Sequence, residues 1–198
     1  MRGAHGVLML AMVAAVALAV PTAAQAEGPF WYVNNQKLAG VEEFSAEGEL
    51  SFKVPLGESS FQVGPCQAQV GGTLANDAKA AAGTVNGLTM STPCGTSLFG
   101  CYVSSVKPTN LPWSIAAEAG KVVMQDLALN VATMGMCKIY GVPSNSFLKG
   151  PLRGGWRGET ECLEYKEAGE LLVVGPEKPV YTNGDLCLSV PKGTLALK

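Results

Sequence analysis

ELSFKV, residues 49–54, sets Leu50, Phe52 and Val54 against Glu49, Ser51 and Lys53. Apolar side chains at every second position are the mark of a strand with one face on a core and the other in water. The phrase returns as DLALNV, residues 126–131, where Leu127, Leu129 and Val131 alternate with Asp126, Ala128 and Asn130. Working outward from these two stretches, strand candidates fill most of the chain: CQAQV, LTMST, CYVSSV, WSIAAEA, CKIYG, ETECLEY, ELLVV and DLCLSV. Gly64-Pro65, Lys107-Pro108, Gly141-Val142-Pro143, Gly175-Pro176 and Asn183-Gly184 punctuate them. FWYV and QKLAGV flank Asn34-Asn35, and Asn tolerates the left-handed backbone of a two-residue type I′ hairpin. Only AKAAA, residues 78–82, reads as helical, with Asn76 or Asp77 as cap and Gly83 as stop. The expectation is an all-β protein: an antiparallel β-sandwich or open barrel with at most one short helix.

The echo between the halves extends to cysteine. ELSFKV leads to Cys66 and DLALNV to Cys137, and Cys94 and Cys162 follow each after a similar interval. Two related β-units would account for this; so would chance recurrence of an alternating pattern. The six cysteines of an exported chain read as three disulfides. The echo selects Cys66–Cys94, Cys137–Cys162 and, tying the units, Cys101–Cys187. Cys94 and Cys101 also stand close enough in CGTSLFGC to pair across a tight loop. Cys187 lies on the face opposite Leu186, Leu188 and Val190, which places its bridge away from the main core.

Export itself is read from the first 26 residues. Arg2 precedes the apolar run VLMLAMVAAVALAV, and Ala24-Gln25-Ala26 has the A-x-A form of a cleavage site, so the mature chain is expected to begin at Glu27. Fourteen apolar residues fall short of the roughly 20 that span a bilayer. With no linker or low-complexity tract, residues 27–198 are expected to form a single all-β domain, secreted or extracytoplasmic, with no stable membrane insertion after the leader is removed.

Cleavage removes Arg2 and His5 and makes the net charge of −2 one unit more negative. The near-neutral surface has no basic face for nucleic acid. A chain without histidine cannot build a Ser-His-Asp triad, a Cys-His pair or a His-ligated metal site. No phosphate-binding glycine loop and no D-x-D-x-D-G calcium loop occurs, so neither a cofactor nor a metal is expected. Paired carboxylates remain: Glu159 and Glu161 would share one face of a strand, with Glu164 opposite, and glycoside hydrolysis needs only two acids. The more usual meaning of such residues is a solvated strand face.

The aromatic residues lead further. RGGWRG, residues 153–158, places Trp156 between Arg153 and Arg157 among glycines. An indole with so little bulk around it could stack on a sugar or aromatic ring, with the arginines pairing an anion. The competing reading folds the indole back as a plug on the core. Trp113 is expected in the core, one of Trp31 and Tyr32 partly exposed, and Met90, Met124, Met134 and Met136 as core filler.

Trp31 to Gly40 form W-x-x-N-x-x-x-L-x-G, Gly64 to Gly72 form G-x-C-x-x-x-V-G-G, and a strand at Cys101 precedes Leu111-Pro112-Trp113. In these motifs about half of the mature chain resembles uncharacterised secreted all-β proteins of high-GC actinobacteria. The resemblance implies an extracytoplasmic β-fold and supplies no functional residues. The expected function is therefore non-catalytic binding of a cell-envelope glycan, a small ligand or another surface protein. A carboxylate-dependent hydrolase of the glycosidase type is the alternative.

Overall fold

The computed structural model describes residues 28–174 and 177–198, those at 167–170 without their side chains. The expected leader lies outside the described residues. Among the described residues thirteen strands run in chain order: β1 Trp31–Val33, β2 Gln36–Lys37, β3 Glu42–Leu56, β4 Ser59–Asn76, β5 Ala81–Met90, β6 Cys94–Gly95 and β7 Cys101–Thr109. They continue with β8 Trp113–Glu118, β9 Lys121–Gly135, β10 Asn145–Arg157, β11 Cys162–Val173, β12 Lys178–Ser189 and β13 Leu195–Leu197. One 3₁₀ turn, Met136–Tyr140, joins β9 to β10.

All ladders are antiparallel, and they close. β3 pairs β4, β4 pairs β5, β5 pairs β8, β8 pairs β9, β9 pairs β10, and β10, β11 and β12 follow in turn. β12 then pairs β3 over Tyr181↔Lys53 to Ser189↔Ser45, so no strand of the ring has a free edge. β6 prolongs β5 and pairs β7, and β7 prolongs β8 along the same side of β9. Counting each prolonged pair as one, the chain makes eight staves in an up-and-down meander closed on itself. At the closing seam Gly48 and Gly184 are required, because a Cβ there would collide with the carbonyls of Asp185 and Glu49.

The alternation of β3 explains which way the ring faces. Phe44, Ala46, Leu50 and Phe52 are buried, while Glu43, Ser45, Glu47, Glu49 and Lys53 are exposed. Apolar side chains thus fill the ring and polar ones coat it, the reverse of a lipid-facing barrel wall. Trp113, as expected, is core. Gaps of about 10, 20 and 40 Å³ lie inside, each room for a water or two.

One end of the ring is sealed. β1 pairs β2 through the Asn34-Asn35 turn, whose φ of 51° and 64° are the left-handed values expected, and β1 also pairs β13. This small sheet carries Trp31, which is fully buried and donates from Nε1 to the Ala82 carbonyl at 3.0 Å. Asn76 accepts from Trp31 N at 2.7 Å and donates to the Trp31 and Leu38 carbonyls. Burying an indole of roughly 200 Å² contributes about 5 kcal/mol.

Three expectations are corrected. AKAAA forms no helix: Asp77 accepts from the N–H groups of Lys79 and Ala80 in a tight turn, and Ala81 and Ala82 enter β5. Those two backbone bonds hold the Asp77 carboxyl below its usual range. The disulfides are Cys66–Cys94, as the echo selected, but then Cys101–Cys137 and Cys162–Cys187. The cause is the meander, which puts each stave beside its sequence neighbours. Cys162 stands directly opposite Cys187 across β11 and β12, and Cys101 opposite Gly135 at the end of β9. Cys187 is exposed, so that bridge lies on the outer wall. Cys137–Cys162, the bridge that the echo placed in the second unit, is therefore absent, as is Cys101–Cys187. Finally, Met134 and Met136 are exposed rather than core filler.

Candidate functional site

At the end opposite the Trp31 seal the ring is open. Four connections gather there: the β3–β4 turn, the β6–β7 loop, the 3₁₀ turn with its return to β10, and the β11–β12 turn. Between them lies a cavity of about 240 Å³ whose walls include Val54, Leu56, Phe61, Val103, Val131, Val142, Phe147 and Val173. Each wall residue reaches the mouth for a local reason. Val54, Val103 and Val131 are inward-facing positions near the mouth ends of their strands. Val142 is folded over the rim because Gly141 is left-handed at φ 79° and Val142 N donates to the Cys137 carbonyl at 3.1 Å. Thr133 fastens the same return, donating from Oγ1 to the Pro143 carbonyl at 2.8 Å and from N to the Ser144 carbonyl. Val174 N donates to the Phe147 carbonyl at 2.8 Å and brings the β11 end alongside β10.

Among the described residues no carboxylate lines this mouth, and its polar groups are few: Thr133, Asn145 and Ser146. What the mouth offers is apolar surface that water solvates poorly, within a preformed concavity.

A second concavity lies on the outer wall, about 430 Å³ and wide open, beside the register shift between Leu50 and Phe52. Ser51, Lys53, Ser60, Gln62, Ser97 and Asn183 line it. Its floor is partly used internally, since Ser97 Oγ accepts from Gln62 N at 3.0 Å. Polar groups on an open wall exchange water for ligand at little net gain, about 0.5–1.5 kcal/mol per hydrogen bond. The mouth is therefore the stronger candidate.

The residues chosen from sequence lie at the sealed end. Trp156 belongs to β10, where it shares the inward face with Leu152 and Gly154, while Arg153 and Arg157 point the other way. Strand alternation thus separates the indole from the arginines that flank it in sequence. Trp156 is half-buried and packs edge-on to Trp31, with ring centroids 5.6 Å apart. Its Nε1 is buried with no hydrogen-bond partner. Partly exposed and packed on Trp31, the indole sits as the plug reading has it, turned away from the arginines.

Arg157 donates from Nε and Nη2 to the two carboxylate oxygens of Glu164, and Lys166 lies 3.0 Å from the same group. Lys166, with Arg157, holds the Glu164 carboxyl below its usual range. Arg153 sits 3.9 Å from Glu118.

Glu159 and Glu161 do not share a strand face either. Both fall in the turn before β11, with Glu161 left-handed at φ 55°. The Glu161 carboxylate accepts from Leu195 N at 3.0 Å, and so fastens β13 to the seal. Glu42 is buried against Lys192 at the start of β3. Among the described residues no group of three or more His, Cys, Asp and Glu could hold a metal ion, and no helix is long and apolar enough to cross a membrane.

Three disulfides with no free cysteine among the described residues mark a protein of an oxidising compartment. No family model matches the chain, and comparison with curated proteins and with solved structures finds no match to either.

Proposed function

We propose that this is an exported binding protein, and that the open mouth of its ring takes up a small apolar or amphiphilic molecule without transforming it. The apolar cavity of about 240 Å³ at the unsealed end carries this reading. An apolar cavity of about 150 Å³ accommodates benzene, so the mouth has room for a ring with a short alkyl tail. The interior below is filled, which limits the ligand to the mouth. The Arg2-led apolar leader with its A-x-A site and the three disulfides support export. Among the described residues both concavities are lined without a carboxylate, and apolar groups dominate the mouth, which favours binding over the hydrolytic alternative. The glycan reading rests on Trp156, which the seal leaves only partly exposed and turned away from Arg153 and Arg157.

The test is displacement of a fluorescent apolar probe, N-phenylnaphthylamine, by a series of short alkanoates and alkylbenzenes. Saturable binding at one site is expected, with affinity rising along the series until the mouth is full. Val131→Phe narrows the mouth and should weaken probe binding about tenfold, roughly 1.4 kcal/mol. Non-saturable binding, or equal affinity in Val131→Phe, would overturn the proposal.

A further inference from the structure

Large apolar side chains exposed among the described residues are not scattered over the ring. Apart from Val41, all of them lie at the mouth end, and the most exposed are Phe99 at 83% and Ile139 at 74%. Phe99, Tyr102, Met134, Met136 and Ile139 form one patch on its β7–β9 side. Tyr102 is the direct cross-strand partner of Met134. A Cβ on Gly135 would lie 3.6 Å from the Tyr102 ring, and one on Gly100 would meet the Met136 side chain. Met136 N donates to the Gly100 carbonyl at 2.7 Å. The Cys101–Cys137 bridge locks the two loops together, with Cα atoms 4.5 Å apart. Contiguous apolar surface held rigid in water marks a contact site.

The charge around the patch selects the partner. No Asp or Glu occurs between Asp77 and Glu118, nor between Asp126 and Glu159. The patch lies within these two stretches, and its exposed ionic residue is Lys138; Lys107 and Lys149 lie further down the outer wall, opposite Asn130 and Ala128. Lys138 sits between Cys137 and Ile139 at the centre of the patch. Glu58 and Glu177 belong to the turns across the mouth, beside Lys178, whose Nζ donates to the Gly57 carbonyl at 2.6 Å. Most of the acidic residues lie toward the sealed end, Glu42, Glu43, Glu47, Asp77, Glu118, Glu159 and Glu161 among them.

We infer that the protein docks by this patch, mouth foremost, on an anionic lipid surface. Phe99 and Ile139 enter the headgroup region, Tyr102 and the methionines lie at its level, and Lys138 meets the lipid phosphates. Docked so, the cavity faces the bilayer, and an amphiphile can pass between them without crossing water. That last step rests on the ligand reading above; the docking does not.

The experiment is sedimentation of the exported chain with vesicles of phosphatidylcholine, with and without phosphatidylglycerol, and no ligand present. Binding is expected to be stronger to the anionic vesicles. Phe99→Ser with Ile139→Ser should weaken it by about tenfold or more on both. Lys138→Glu should remove the preference for anionic lipid, and Val41→Ser, at the sealed end, should change nothing. All these positions are exposed, and retention of the fold is checked by circular dichroism. Failure of the unaltered chain to sediment with either vesicle would overturn the inference. So would equal binding by the Phe99/Ile139 variant, or a concentration-dependent dimer, without lipid, that this variant abolishes; the dimer would assign the patch to a second copy. Probe displacement without vesicles reports separately on the mouth, so either reading can fail alone.

Discussion

Two tryptophans in edge contact at the seal differ in one respect that stability can read. Trp31 donates its indole N–H to the Ala82 carbonyl, whereas Trp156 buries an N–H that has no partner. Trp31→Phe removes a hydrogen bond to the Ala82 carbonyl, worth about 0.5–1.5 kcal/mol, whereas Trp156→Phe removes a donor that was itself unsatisfied. The expected loss from that bond is about 1 kcal/mol, which lowers Tm by roughly 2–4 °C for a chain of this size. Trp156→Phe should fall between neutral and about 1 kcal/mol stabilising. Phenylalanine also shortens both rings, and Trp31 is the more buried, so benzothienylalanine, which keeps the ring area and lacks the N–H, isolates the hydrogen bond. Urea unfolding followed by far-ultraviolet circular dichroism gives both changes on one scale. Equal losses for the isostere at the two positions would show that Trp156 Nε1 is hydrogen-bonded in the folded protein, and the reasoning would fail.

The Tyr165 hydroxyl is likewise buried without a partner, so Tyr165→Phe should not destabilise. Burial pushes the Tyr165 phenol up; its folded-state stability is thus whole below the unfolded tyrosine value of about 10 and declines as pH rises past it. Ultraviolet titration should find this one phenol silent until the chain unfolds. Glu164 has the opposite sign: its carboxyl is depressed by Lys166 and Arg157, so its contribution is present above the unfolded glutamate value of about 4.3 and fades as pH falls. In carbon-detected NMR, Lys166→Ala and Arg157→Ala should each move that titration upward. Peptide mapping without reduction should return Cys66–Cys94, Cys101–Cys137 and Cys162–Cys187. Replacing both Cys101 and Cys137 by Ser, which opens a loop of 36 residues, should cost about 4 kcal/mol and lower Tm by roughly 8–16 °C.

Much of the fold can be read from local pattern because its determinants are local. The alternation in ELSFKV sets which side chains of β3 face inward, and Asn34-Asn35 supplies the left-handed pair its hairpin requires. AKAAA misleads for a physical reason. Alanine favours helix by tenths of a kcal/mol per residue, and a segment of this length cannot meet the cost of nucleation. Asp77, readable as a helix cap, closes a four-residue hairpin loop instead, and Ala81 and Ala82 complete the ladders of β5 with β4 and β8. Closure itself depends on β12 meeting β3, a contact between strands more than a hundred residues apart, and no window of sequence contains it. The disulfides follow from that topology rather than from the spacing of cysteines.

The candidate site was harder to see because its signal is the absence of polar groups. Trp156 drew attention as an aromatic among arginines and glycines, yet alternation along β10 turns the indole inward and the arginines outward. Phe99, Met134, Met136 and Ile139 are residues that a sequence reader assigns to the core, and two of them were so assigned. They are exposed because they lie at or beyond the ends of the β7–β9 ladder, which stops at Cys101↔Gly135. Past that pair no stave remains to cover them. Hydrophobic collapse alone would draw such side chains over the open mouth. The Cys101–Cys137 bridge and the Thr133–Pro143 bond hold their loops back along the rim. The closed ring below supplies the core stability, so the rim is free to keep apolar surface in water. That exposed surface is destabilising in isolation, which is the physical reason to expect something to cover it.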